Sequence, residues 1–366
     1  MNQITPAAAA FILTGLVAVI LLIRAVWEIR QLTVSQIVVK KINSHSSIPA
    51  VCSAKNADQA ACLSAKYIKK ISSRDIVPDA DLQAFRIIQL SDLHVEHLSI
   101  NHARLIETIS AARPDLIVFT GDLTGNDKYI AKGLAFLSAI RQHKTLSAVP
   151  FAAVPGNHDT DETIAGMKTL GIIMLTNAHC SFSSPAGPVQ IVGLDDLRTG
   201  LPSFETAIRT CLCASDTAAA ENKLPGSSRK TADNNAYSSS SCTSAISSVQ
   251  TGTGDSCHGY VPDSGHRVIL AHNPDSVFTV PEKAASLMLT GHFHGGQIWM
   301  PFRFEFIMLR EEKMPRIGIT RGLNYFRGQQ LFISRGLGCV SIPLRLFSLP
   351  ELTIIDLLQE ESNDTV

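Results

Sequence analysis

Five times along this chain of 366 residues, a short apolar run rich in β-branched residues ends in a loop carrying Asp, Asn or His. The run at 85–90 (FRIIQL) leads into Asp92-Leu93-His94, and the run at 115–120 (DLIVFT) into Gly121-Asp122. AVPFAAV at 148–154 precedes Gly156-Asn157-His158-Asp159, RVILA at 267–271 precedes His272, and SLMLT at 286–290 precedes Gly291-His292-Phe293-His294. Between the early runs, residues 101–112 and 128–142 have helical spacing. Strand-length runs alternating with helical segments predict parallel strands with helical crossovers, an α/β or layered mixed fold. Further runs at 189–194, 331–334 and 352–357 complete the sheets. Loops at the carboxyl ends of parallel strands converge, so donors far apart in sequence meet in space. Every donor is a carboxylate, an amide oxygen or an imidazole, the hard and borderline ligands that suit a divalent cation. A fixed tetrapeptide such as GNHD arises by accident in roughly 0.2% of chains this long, so the ordered set is not coincidence.

In that order and spacing the motifs resemble the calcineurin-like metallophosphoesterase superfamily, over about residues 85–358. The resemblance implies a four-layer αββα sandwich, two mixed β-sheets flanked by helices. Two divalent metal ions are implied, Mn²⁺ by resemblance and by the mixed oxygen and nitrogen donors, with Fe, Zn and Mg as alternatives. One ion would be held by Asp92, His94, Asp122 and His294, and the other by Asp122, Asn157, His272 and His292, with Asp122 bridging. His158 would be the catalytic residue that faces the leaving group or the transition-state oxygens. Two ions bring four positive charges and the two Asp return two negative ones, which leaves a site that attracts a phosphate ester and ionises water for in-line attack. Asp159 would either orient the His158 imidazole or cap a helix at 161–169.

The ending narrows the resemblance. HFHGGQ at 292–297 and ISRGLGCVSIPLRLFSLPE at 333–351 look like the membrane-anchored bacterial subgroup. That subgroup includes the UDP-2,3-diacylglucosamine pyrophosphatase of lipid A biosynthesis in chlamydia-like bacteria. The implied substrate is a lipid-linked nucleotide sugar, cleaved to UMP and 2,3-diacylglucosamine 1-phosphate. The alternatives are another cell-envelope or phospholipid phosphodiester, or a non-catalytic membrane scaffold, which the complete ligand set argues against. Phe302, Phe304, Phe306, Ile307, Met308 and Leu309, interleaved with Arg and Lys, form either an apolar wall for acyl chains or an ordinary packed loop. Arg335, in the glycine-rich SRGLG turn, is a candidate substrate-phosphate contact. Asp195 and Asp196 are read as strand terminators, and His97 and His102 as surface or capping residues.

The N-terminal segment carries its own constraint. Residues Ala7 to Ile23 form an unbroken apolar run of 17 residues, which extended to Trp27 is long enough to span a bilayer. A signal peptide fits less well, because no Lys or Arg precedes the run and no small-x-small site follows it, and a buried core helix would carry a polar stripe. Arg24, Arg30, Lys40 and Lys41 all follow the run, so the positive-inside rule puts the bulk of the chain in the cytoplasm; the resemblance to the bacterial subgroup then implies a single-pass protein of the bacterial inner membrane. Lys55, Lys66, Lys69, Lys70 and Arg74 then make a basic juxtamembrane stretch, lying along anionic lipid or forming a solvated helix.

This reading divides the chain into an anchor (1–30), a basic linker (31–84), a metallophosphoesterase domain (85–358) and a tail (359–366). Residues 213–264 lose all apolar periodicity, run SSSSC at 238–242, and read as a disordered insert within the domain. The Cys in and beside this insert lack the CxxC spacing of a zinc knuckle. Lys+Arg and Asp+Glu are both 32, so the zero net charge excludes nucleic-acid binding by a basic field. Eight Cys are too sparse for a disulfide scaffold, and no protein partner is evident.

Overall fold

The computed structural model describes residues 5–40, 68–71, 84–212 and 265–358. The Ser-rich insert, the tail and most of the basic stretch lie outside the described residues.

Two sheets make the body of the molecule. The seven-stranded sheet runs in the order β2-β1-β13-β3-β4-β5-β6. Its strands are β1 (Thr33–Lys40), β2 (Ile68–Ile71), β3 (Ala84–Leu90), β4 (Leu116–Phe119), β5 (Phe151–Ala153), β6 (Ile173–Met174) and β13 (Glu351–Leu358). The six-stranded sheet runs β11-β12-β10-β9-β8-β7. Its strands are β7 (Ala178–Phe182), β8 (Val189–Gly193), β9 (His266–Leu270), β10 (Leu287–Thr290), β11 (Gly322–Phe326) and β12 (Gln329–Ile333). Both sheets are mixed: β3, β4, β5 and β6 are parallel neighbours, as are β8, β9, β10 and β12, and antiparallel strands complete each sheet.

The strands are continuously apolar because both faces are buried. Ile87, Leu116 and Val118 enter the core between the sheets, where they meet Ile191, Val268, Leu270, Leu289 and Phe332. Their sequence neighbours Ile88, Ile117 and Phe119 point the other way, into a core closed by helices α2 (His102–Ala111), α3 (Ile130–Gln142) and α4 (Asp161–Thr169). On the far face of the second sheet, Val192, Ile269, Met288 and Leu331 pack with Phe204 and Phe306 of the short helices α5 (Phe204–Arg209) and α6 (Phe304–Leu309). These three apolar layers separate four structural ones, which is the expected sandwich of two mixed sheets flanked by helices.

The segment read as a linker does more than connect. Strand β1 pairs in parallel with β13 over its whole length, from Thr33 opposite Glu351 to Lys40 opposite Leu358, and β2 pairs antiparallel with β1. Ile37 and Val39 are fully buried in the core between the sheets. Polar contacts fix the register: Ser35 Oγ donates to Glu351 (2.5 Å), Gln36 Nε2 donates to Asp356 (2.5 Å), and Arg86 on β3 pairs with the same Asp356 (2.6 Å). The folded body therefore begins near residue 33, not 85.

Before β1 runs helix α1 (Pro6–Glu28), 23 residues capped by Thr5, and the 18-residue window of it apolar enough to cross a membrane has no residue buried inside the molecule. At 1.5 Å per residue it is about 34 Å long, enough to cross a bilayer. Its C-terminal end touches the body: Ala25 and Glu28 are buried, the Ala25 carbonyl accepts the Arg345 N–H (3.3 Å), and the Arg24 guanidinium lies over the Phe347 ring.

Candidate metal centre

The five loops meet at the carboxyl ends of both sheets. Their backbones are laced together: the Asp92 N–H donates to the Gly121 carbonyl (3.0 Å), the Gly291 N–H to the His272 carbonyl (3.0 Å), and Leu337 to Ser91 (3.0 Å). Gln89 Nε2 crosses from the first sheet to the Thr290 carbonyl of the second (3.0 Å). Gly121 and Gly156 set how closely two of the loops approach. A Cβ on Gly121 would sit 2.5 Å from the Gly156 nitrogen, and one on Gly156 would strike the Asp122 carboxylate. Only glycine fits at these positions.

Two donor groups result. Asp92, His94 and His294 converge in one, and Asp122, His272 and His292 in the other; within each, the ligand atoms lie within 4.8 Å of one another, and all six residues are buried. Asp122 Oδ2 joins them, 3.4 Å from His94 Nε2 and 3.2 Å from His272 Nε2. His272 Nε2 is 3.1 Å from His292 Nδ1 and 3.2 Å from Asn157 Oδ1, and His294 Nε2 is 3.4 Å from Asp92 Oδ1. His158 is exposed, its ring 5.5 Å from that of His94, and its N–H donates to Asp122 Oδ1 (3.0 Å). All seven residues expected as ligands, and His158, thus come together. Asp92, His94, Asp122, His292 and His294 all have left-handed backbones, with φ between 34° and 68°. Each costs about 1–2 kcal/mol, strain of the kind that collects at functional sites.

The donors fit a pair of cations. His94 Nδ1 and Nε2 are buried and have no hydrogen-bond partner among the described residues. Metal–ligand bonds of about 2.0–2.2 Å at right angles put neighbouring donors about 3 Å apart, close to the separations between these atoms. The electrostatics point the same way. Burial would lower His94 and His272, but carboxylates overcome it: Asp122 with Glu96 raises His94 to about 9, and Asp122 raises His272 to about 10. Burial would raise Asp122, yet His272 and His94 hold it well below the usual carboxylate range. The carboxylates of the cage thus favour positive charge on the donors that face them.

The supports behind the ligands were only partly legible. Asp159 neither orients His158 nor caps α4, whose cap is Thr160. Its carboxylate accepts the N–H groups of Asp122 (2.8 Å), Leu123 (2.9 Å) and Gly156 (2.8 Å), tying two loops together. Burial and the Asp122 charge push it up to about 6, against those three donors. Glu312 Oε1 lies 2.9 Å from His292 Nε2, and Arg310 Nη1 lies 3.0 Å from the same nitrogen; the imidazole that donates to the carboxylate keeps its Nδ1 lone pair on the cage side. Arg310 Nη2 donates to the His292 carbonyl (2.9 Å). Arg345, fully buried, donates to the carbonyls of Arg335 (2.8 Å), Gly338 (2.5 Å), Ser348 (3.0 Å) and His294 (3.4 Å). Gln297 joins the HFHGGQ turn to the Val340 and Ile342 carbonyls (3.1 and 3.0 Å).

The remaining candidates sort by position. Arg335 lies against Gly295, with Nε buried and without a hydrogen-bond partner among the described residues. Of the basic residues between 301 and 330, Arg310 reaches the ligands, whereas Lys313 lies over Phe278 and Arg327 donates to the Val280 carbonyl (3.4 Å). Asp195 and Asp196 build the turn after β8 by accepting N–H groups of residues 196–201. His97 contacts the Cys339 carbonyl (3.2 Å), and His102 packs on Phe136.

Comparison with known proteins agrees with this geometry. Residues 85–201 match the calcineurin-like phosphoesterase family. The chain is 27% identical to the uncharacterized metallophosphoesterase YkoQ of Bacillus subtilis, over 73% of this chain and 81% of that protein. It is 26% identical to the phosphodiesterase YaeI of Escherichia coli, over 75% and 82%. To the UDP-2,3-diacylglucosamine pyrophosphatase LpxG of Chlamydia trachomatis it is 24% identical, over 77% and 86%. With its strand-end donor loops, two mixed sheets and these relatives, the chain carries a calcineurin-like metallophosphoesterase domain, a family built around a dinuclear metal site.

Proposed function

We propose that this protein is a membrane-anchored, two-metal hydrolase that cleaves UDP-2,3-diacylglucosamine to UMP and 2,3-diacylglucosamine 1-phosphate, a step of lipid A biosynthesis. The observation that carries the hydrolytic part is the meeting of two donor groups through Asp122, 3.4 and 3.2 Å from an imidazole of each. The substrate assignment is supported by the likeness to LpxG and by the apolar helix α1, which would keep the domain beside a lipid substrate. The charges after α1 favour a catalytic domain on the cytoplasmic side of a bacterial inner membrane.

In this reading Asp92, His94, Asp122 and His294 hold one divalent ion, and Asp122, Asn157, His272 and His292 the other, with Mn²⁺ suited to the mixed donors. When bound, the two ions supply Lewis acidity toward the phosphoryl oxygens and a nucleophile from water at neutral pH. The chain's own residues do the rest. The Asp159 carboxylate and the paired glycines keep Asp122 and Asn157 in place. Glu312 keeps the Nδ1 lone pair of His292 on the cage. Arg310, beside His292, and Arg335 supply guanidinium groups for the second phosphate of a diphosphate. His158, exposed at the rim, donates a proton or hydrogen bond to the departing oxygen.

The test uses purified full-length protein with Mn²⁺, given UDP-2,3-diacylglucosamine beside a generic aryl phosphodiester. Release of UMP from the acylated sugar nucleotide is expected, and His158→Ala should cut turnover while leaving metal content unchanged. Efficient cleavage of the generic diester with no action on the lipid would overturn the substrate assignment. It would favour a different envelope or phospholipid diester, in keeping with the likeness to the phosphodiesterase YaeI.

A further inference from the structure

An apolar surface runs from the end of α1 to the rim of the metal centre. Phe302, Met308 and Ile307 are 84%, 76% and 70% exposed, and Trp299, Phe304 and Phe347 are exposed beside them in sequence and contact. Scattered apolar residues on a surface are ordinary, but a continuous aromatic and aliphatic patch marks an interaction site.

Three features indicate that the exposure is built in. First, α6 turns an apolar outer face away from the body. Among its described side chains Glu305 and Phe306 are the buried ones; Phe306 packs edge-on against Phe293 (6.1 Å) and Glu305 accepts the Met300 N–H (3.1 Å). Turning the helix to hide Ile307 and Met308 would expose both. Second, Phe302, Arg303 and Phe347 have left-handed backbones, with φ of 58°, 59° and 57°. Bulky side chains pay for that conformation, and here it holds two aromatic rings outward. Third, the patch is continuous with the membrane segment. The Arg24 guanidinium lies over the Phe347 ring (4.2 Å), the Phe347 ring meets Trp299 edge-on (5.9 Å), and Ile298 bridges to Leu346.

We infer that this patch seats in the same bilayer that α1 crosses, as a second, shallow attachment that holds the metal centre at the headgroup level. The inference rests on reading α1 as a membrane-spanning helix and deepens the proposed function. The occupant is a lipid surface, because the patch continues from the end of α1 that carries Arg24 and Trp27, residue types that mark a membrane interface. Aromatic and aliphatic side chains interleaved with Arg303 match the acyl and headgroup levels of a leaflet. Arg310 follows α6 directly and lies 3.0 Å from His292 Nε2, so the seated face is one short helix from the ligands. A phosphoester whose acyl chains stay in the leaflet would reach the cage without leaving the membrane.

The chain has two Trp, Trp27 and Trp299, which makes the test direct. Full-length Trp27→Phe protein is reconstituted in phosphatidylcholine and phosphatidylglycerol vesicles whose acyl chains are brominated at carbons 6 and 7. Trp299 fluorescence should fall about twofold relative to unbrominated vesicles, and Ile307→Asp with Met308→Asp should abolish most of that fall without changing the melting temperature. The reciprocal Trp299→Phe protein reports Trp27, and so the anchor. Quenching of Trp27 with Trp299 unquenched would overturn the docking while leaving the anchor standing; a patch that pairs two copies of the chain gives that result. Quenching of neither would remove the anchor, and the docking with it.

Discussion

Removing the charge of Glu312 should loosen one metal ion and leave the other alone. The Glu312 carboxylate is 2.9 Å from His292 Nε2 and is held ionised, with a pKa of about 2: burial pushes it up, but the hydrogen bond from His292 and the nearby Arg310 charge pull it down further. An ionised acceptor fixes the imidazole tautomer and raises the basicity of Nδ1, the nitrogen 3.1 Å from His272 Nε2. Glu312→Gln keeps an acceptor of the same shape and loses the charge. The difference between a charge-assisted and a neutral hydrogen bond is about 1.4 kcal/mol, or tenfold in affinity. Glu312→Ala removes the acceptor as well, and about a hundredfold loss is expected, the upper end of what such outer partners contribute. Competition with a fluorescent chelator resolves the two binding steps. One dissociation constant should rise tenfold in the Gln variant while the other stays within error, with an unchanged melting temperature. Equal weakening of both steps, or of neither, would refute the argument, and equal weakening with a lower melting temperature would make Glu312 a structural residue only.

Three further outcomes follow from the same geometry. Because His94 and His272 sit near 9 and 10 in the metal-free cage, loading at pH 7 should release about two protons, measured by calorimetry in buffers of different ionisation enthalpy. The sign is that of raised histidines: their contribution to the metal-free fold is complete below about pH 6.5 and is lost as pH climbs through 9 to 10, while metal affinity grows over that range. Gly156→Ala drives a methyl into the Asp122 carboxylate and backbone, so purified protein should carry less metal and melt several degrees lower, a cost of about 2 kcal/mol. Arg345→Met strips the donors from several buried carbonyls behind His294 and should cost about 1–3 kcal/mol for each carbonyl left unsatisfied, read in urea denaturation.

The strands and the donor loops were legible because their signals are local. A run such as DLIVFT buries alternate residues on two faces, and the loop after it ends in the ligand. The four layers follow once the runs are joined by helical crossovers. Strand β1 was hidden for the opposite reason. TVSQIVVK follows directly on the membrane run and looks like its flank, while its partner β13 lies more than three hundred residues away, so nothing nearby marks it as sheet. The supporting residues were obscured by their solitude. Glu312 sits between charged neighbours and reads as surface. Arg345 offered a faint signal, a cation inside the apolar IPLRLF stretch, where burial demands several carbonyl partners. Asp159 stands out by its place in GNHD, but three backbone donors converge on it only when the loops fold together.

The central claim is a pair of ions held by the two donor groups. It is tested most directly by anomalous diffraction at the Mn edge from crystals of metal-loaded, full-length protein. The account predicts two peaks about 3.5–4 Å apart, one among Asp92, His94 and His294 and the other among Asp122, His272 and His292, with Asp122 between them. A single peak, or peaks away from these residues in protein with full metal content, would contradict it.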